Sequence, residues 1–202
     1  MMRPVKRSRV IPALALTAAL TLAGCSGVGS DRAVSVDGEE YSVTEVQQAA
    51  TQLNQVVPVL AERVAAQETP PQAAFQQETT PQQVVTDLAV LPVLDQIFGG
   101  TPAEVTEAQV RDFLGANGVS EPGEGTIEVT RSRQYQQRLG DVSLAQDPAM
   151  RDVVQRAQEL LATPDALEAV DVDVNPRYGS WDIAGGGLVP RTPEWITTTD
   201  DS

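Results

Sequence analysis

Val34-Ser35-Val36-Asp37-Gly38-Glu39-Glu40-Tyr41-Ser42-Val43-Thr44-Glu45 carries three structural signals in succession. Val34 and Val36 alternate with Ala33 and Ser35, the pattern of a half-buried strand. Asp37-Gly38 is a strong two-residue hairpin signal, because both turn positions need φ > 0. Ser42-Val43-Thr44-Glu45 then fits a capping box: the Ser42 hydroxyl satisfies a free amide of the first turn while Glu45 reaches back to Ser42. Tyr41 and Val46 stand where a hydrophobic staple would fix the entry of the chain. A strand, a tight turn and a capped helix therefore open the domain.

Downstream the hydrophobic period changes to that of a helix. Val46, Ala49, Ala50, Leu53, Val56, Val57, Leu60 and Val64 form one stripe. Pro58 removes an amide and crowds the carbonyl of Asn54, so the reading is one kinked helix over 43–66. Thr80-Pro81-Gln82-Gln83 starts a second helix with a capping threonine and proline at the first helical position. This helix carries Val84, Val85, Leu88, Leu91, Leu94, Ile97 and Phe98, and stops at Gly99-Gly100. Thr106-Glu107-Ala108-Gln109 starts a third, with Val105 and Val110 as its staple, ended by Gly115 and Gly118. Between the first two helices, residues 67–79 are rich in Gln, Pro and Thr and read as a mobile loop.

The signal weakens after Gly118. Residues 126–139 mix strand and helix cues. Asp147-Pro148 restarts a helix carrying Met150, Val153, Val154, Ala157, Leu160 and Leu161, and Thr163-Pro164 begins a further short turn. Val170-Asp171-Val172-Asp173-Val174 is a strict period-2 strand, with Ser180-Trp181-Asp182-Ile183 as its expected partner after a turn at 175–179. The fold class is thus mainly α (α+β). A helical body is closed by a small antiparallel sheet made from the N- and C-terminal segments, with two separate hairpins as the alternative. Tyr178 and Trp181 read as aromatics covering that sheet. Asp171, Asp173 and Asn175 match the first ligand positions of a calcium loop, but Pro176 stands where glycine is needed, and an alternating strand shows the same acids.

Composition narrows the chemistry. The chain has 14 basic and 28 acidic residues and no histidine. Its only lysine is Lys6. Residues 1–24 read as a signal peptide: a basic start (Arg3, Lys6, Arg7, Arg9), then the apolar run 10–23, too short for the ~20 residues that span a bilayer. Cleavage there removes four basic residues and no acidic one, leaving a more acidic chain that repels nucleic-acid phosphates and anionic lipid alike. Without histidine or lysine, neither Ser-His-Asp or Cys-His catalysis, histidine-bound zinc nor a Schiff base is available. Nothing in the sequence calls for a cofactor.

Two resemblances supply the expected function. Leu22-Ala23-Gly24-Cys25 resembles the lipobox of bacterial lipoproteins, which implies cleavage before Cys25, a diacylglycerol on its thiol and often an acylated amine. Two or more acyl chains make a stable anchor on the outer face of the cell membrane, reached through the tether 25–32. The stretch Val34–Glu45 looks like the opening of the SurA/PrsA family of exported chaperones. Val174-Asn175-Pro176-Arg177-Tyr178-Gly179-Ser180-Trp181-Asp182 looks like the closing segment of actinobacterial lipoproteins in that group. This resemblance implies a chaperone domain over 33–190 that binds unfolded or exported polypeptides; residues 191–202 read as a flexible tail. Full-length foldases of the group also carry histidine-containing prolyl isomerase domains. Here neither the histidines nor the length for one is present, so isomerase activity is expected to be absent. Candidate client contacts are apolar residues in excess of one helix face: Val59, Val90 and Val93, with Phe75 in the loop. The alternatives are that these residues pack the core, and that the protein is an adaptor for one fixed envelope partner.

Overall fold

The Asp37-Gly38 turn adopts the geometry its residues demand, with φ of 51° and 86°. It joins β1 (Arg32–Val36) to β2 (Glu39–Ser42), pairing Val36 with Glu39. This computed structural model describes residues 31–66, 68, 75, 77–140, 147, 150–162, 168–182 and 187–190. Cys25 with its signal and tether, the Thr163-Pro164 turn and the tail lie outside the described residues. Strand alternation is broken at one point. Arg32 pairs with Ser42 but Val34 pairs with Tyr41, so a bulge at Ala33 lets Ala33 and Val34 both face the core.

The Ser42–Glu45 capping box forms as expected and starts α1 (Val43–Ala65), which runs through Pro58. Tyr41 and Val46 are both buried beside it. Capping boxes at Thr80–Gln83 and Thr106–Gln109 start α2 (Pro81–Phe98) and α3 (Glu107–Ala116). Gly115 falls inside α3; Gly118, at φ 95°, makes the left-handed exit, with the Val119 amide bonded to the Leu114 carbonyl. The ambiguous stretch is a helix, α4 (Glu124–Gly140). Its buried face holds Thr126, Thr130, Ser132 and Arg133 beside Ile127, Val129 and Tyr135. The polar, β-branched residues that blurred the helical period are thus the ones packed inward. The fifth described helix, α5 (Arg151–Leu161), buries Val153 and Ala157, with Met150 buried at its N-terminal end.

Helix α2 is the centre of the body. It touches α1, α4, α5 and β1, and ten of its residues are buried. A helix apolar on most sides belongs inside a protein. That explains the surplus: Val93 is a core residue, and Phe75, also 1% exposed, packs at 5.0 Å from Phe113. Of the expected loop 67–79, residues 67, 69–74 and 76 lie outside the described residues; Phe75 and Thr79 are both buried.

At the far end of the chain, β3 (Val172–Val174) lies antiparallel to β1, giving the order β2-β1-β3. Val34 faces Val174 and Val36 faces Val172. The two chain ends therefore share one sheet, as expected. The Asp37 amide donates to the Asp171 carbonyl, and the Asp171 amide donates back to the Asp37 carboxylate. At the other end of β3 the Asn175 amide donates to Ala33 and its carboxamide to Arg32. Asp173 pairs with Arg32, so the acids of the calcium-like run are engaged with the sheet.

The expected pairing of Ser180-Trp181-Asp182 with the 170–174 strand is corrected. Strand β4 (Ser180–Asp182) pairs with β5 (Gly187–Val189) in a separate two-stranded sheet. The reason is the turn between them. Asn175 ties the end of β3 to β1, and Gly179, at φ 131°, then sends the chain across Val189, where any Cβ would collide with the Val189 carbonyl oxygen. Tyr178 is buried and Trp181 half-buried, with the indole Nε1 lacking a hydrogen-bond partner among the described residues. Gly179→Ala should cost about 2 kcal/mol or more, from backbone strain plus that collision. Gly140→Ala, with open space around it, should stay within about 0.5 kcal/mol of wild type in urea unfolding.

Candidate functional site

Among the described residues, an apolar groove of about 360 Å³ lies where α5 crosses the C-terminal ends of α2 and α4. Phe98 and Leu139 line one side; Met150, Val153, Val154 and Ala157 line the other. The groove is backed by rigid packing. Phe98 stacks on Tyr135 with ring centres 4.7 Å apart and planes within 6°, and the Tyr135 hydroxyl accepts from the Val105 amide. Arg138 stands at the rim with its guanidinium donating to the Ala103 and Glu104 carbonyls, which keeps its charge out of the apolar lining. Chemically this surface offers mainly dispersion and desolvation of apolar side chains, with the exposed Gln158 carboxamide as a polar group in its lining.

Near the start of α2 the structure builds a buried ion pair that the sequence reading missed. Arg133 Nε donates to Asp87 Oδ2 at 2.7 Å, and Arg133 Nη1 donates to Thr79 Oγ1 at 2.7 Å. Gln136 Nε2 donates to the other Asp87 oxygen at 3.1 Å. The Thr79 backbone is in turn held by both ends of the Asn54 carboxamide, at 2.7 and 3.1 Å. The Arg133 guanidinium also sits 5.9 Å from the centre of the Phe75 ring. Burial pushes the Asp87 carboxyl up from its ordinary value, against the opposing pull of Arg133. Both charged groups are paired, and their geometry is that of a clamp joining α1, α2, α4 and the 77–80 segment. One trace was visible in sequence: Asp87 is the only charged residue from Pro81 to Leu94.

A third cluster lies where β2 meets α4. Glu39, Glu124 and Glu128 bring carboxylate oxygens within 4.8 Å of one another, an arrangement that could hold a cation. Burial raises the pKa of Glu128, with Glu39 adding to the rise and Tyr41 opposing it. Tyr41 is raised too, by burial and then by Glu128. One oxygen of Glu128 is buried with no hydrogen-bond partner among the described residues.

The residues singled out for client contact do not come together. Phe75 and Val93 are core residues, out of reach of a polypeptide in this conformation. Val59 and Val90 are half-buried on different helices, Val59 facing Gly118. None of the four lines the apolar groove. The groove residues Met150, Val153, Val154 and Ala157 were legible as a helical stripe; Met150, Val153 and Ala157 are buried and Val154 is half-buried. Cys25 lies outside the described residues. Among the described residues, no helix is long and apolar enough to cross a membrane.

No protein-family model, curated protein or solved structure matches this chain.

The raised pKa of Glu128 has a testable sign. The folded state holds this proton more tightly than the unfolded chain, so stability should fall as pH rises from the ordinary 4.5 through the raised value. Glu128→Gln should therefore melt higher than wild type at pH 7 and nearly level with it at pH 4. Thermal unfolding across that range measures the difference.

Proposed function

We propose that this protein is an exported lipoprotein, anchored by lipid on Cys25, whose helical body holds unfolded exported polypeptide without prolyl isomerase activity. The observation carrying this reading is the partly open apolar groove between α5 and the ends of α2 and α4. Holding an unfolded chain requires accessible apolar surface on a frame that stays soluble, with contacts that tolerate many side-chain shapes. The half-buried Leu139 and Val154 supply aliphatic surface at the mouth of the groove, over a buried floor that includes Met150. The excess of acidic residues keeps such a frame in solution. The lipobox-like Leu22–Cys25 and the basic, apolar start of the chain support export and anchoring.

A second reading is an adaptor that binds one fixed envelope partner. It is favoured by the burial of Phe75 and Val93, which leaves a compact groove in place of a broad apolar face.

The soluble form beginning at Ser26 should suppress aggregation of several unrelated unfolded proteins. Val154→Arg, which puts a charge into the groove, should lose most of that protection while keeping the far-UV spectrum. Stoichiometric co-purification of one partner, with no client protected, would establish the adaptor in its place. Cys25→Ser should release the protein from washed membranes into the soluble fraction; retention there would overturn the lipid anchor.

A further inference from the structure

Along the first turns of α2, away from the apolar groove, two hollows meet and share Gln83 and Thr86. One, of about 380 Å³, lies between α2 and the turn before β4, with Arg177, Tyr178 and Leu188 on its far wall. The other, of about 320 Å³, continues past Glu78 to Asp87 and Gln136. Both walls are braced. The Asn175 carboxamide oxygen accepts from the Arg177 amide and the Asn175 carbonyl from the Tyr178 amide, which sets the Pro176-Arg177 tip. The Asp87–Arg133 clamp sets the opposite side.

The lining is richer in polar groups than the apolar groove: beside the apolar Pro176, Leu188 and Pro190 it carries four carboxamides, Gln77, Gln82, Gln83 and Gln136. Their internal bonds leave capacity of both kinds. Gln83 uses its oxygen to accept from the Thr80 amide, leaving its NH₂ to donate. Gln136 uses its nitrogen on Asp87 and Ser132, leaving its oxygen to accept. The Gln82 side chain has no hydrogen-bond partner among the described residues. An extended main chain presents the same alternation of N–H and C=O whatever its side chains are, and carboxamides match it. The lining aromatic, Tyr178, is buried and offers no open face for stacking a ring.

Charge gives the cleft a direction. Arg177 is exposed at one end, with no ion-pair partner among the described residues, while the exposed Glu78 lies at the other, where Asp87 is neutralised by Arg133. An acidic side chain is attracted to the first end and repelled from the second.

We propose that this cleft holds an extended segment of client polypeptide by its main chain, with an acidic side chain of the segment set against Arg177. The proposal rests on the reading of the protein as a polypeptide binder and names where the backbone is gripped. It is tested on the whole mature protein in detergent, using fluorescence anisotropy of a labelled unfolded peptide carrying one glutamate. Gln82→Trp, an exposed position chosen so that the fold survives, should obstruct the cleft and weaken binding about tenfold. Arg177→Glu should weaken the glutamate peptide several-fold and leave its glutamine counterpart unchanged. N-methylation of alternate peptide amides should abolish binding. If both variants bind like wild type while Val154→Arg does not, clients use the apolar groove alone and the cleft is overturned. Undiminished binding of the methylated peptide would overturn the main-chain grip. If the wild type binds no peptide at all, the underlying reading as a polypeptide binder fails with it.

Discussion

Strand β1 has two edges, and its hairpin partner β2 covers only one. The unpaired N–H and C=O groups on the other edge would cost stability if buried without partners and would invite pairing with another chain if exposed. Strand β3 supplies the missing partner from more than 130 residues away, and its ends are fastened by Asp37 with Asp171 and by Asn175 with Arg32 and Ala33. All five described helices lie between the two strands in sequence, so their path is enclosed by this closure. Ordering so long a loop is entropically costly, although the cost grows only logarithmically with length. Buried Val34 and Val36, facing Val174 and Val172, provide the apolar contact that offsets it.

The body within that closure is organised around α2, and the arrangement has an electrostatic consequence. With α2 surrounded, Asp87 is held inside and needs a cation, which α4 supplies as Arg133. Taking both charges out of water is expensive, and their attraction repays the cost only with good geometry and every remaining group satisfied. Thr79, Gln136 and Asn54 provide those satisfactions. The clamp thereby orients α4 against α2 and fastens the segment before α2, coupling a tertiary contact to a local one.

The two concave surfaces follow from the same frame. Near its start α2 borders the β4–β5 sheet and the Asn175–Gly179 turn, and the walls there are mixed, with Gln82 and Gln83 on α2 and Pro176, Tyr178 and Leu188 across from them. Near its end it meets α5, and the walls are apolar. At the β2–α4 contact the burial of Glu128 within the three-glutamate cluster raises its carboxyl pKa, which ties stability there to pH.

Local signals were readable because their physics is local. Ser42 with Glu45, Thr80 with Gln83 and Thr106 with Gln109 each satisfy backbone groups within one helical turn, and Asp37-Gly38 sets its own dihedral angles. Those residues determined where the first three helices and the hairpin begin, and the matching valine faces implied that the two chain ends meet. Helix α4 was obscure because its inward face is polar, and such a face makes sense only opposite Asp87 and Gln52. The pairing of β4 with β5 depended on how Gly179 turns the chain across Val189. Burial of Phe75 and Val93 depended on what lies on the other side of α2. By itself the sequence determined elements, their ends and their order, through interactions spanning a few residues. Tertiary structure alone decided which apolar residues remain accessible, because exposure is set by neighbours that arrive from distant parts of the chain.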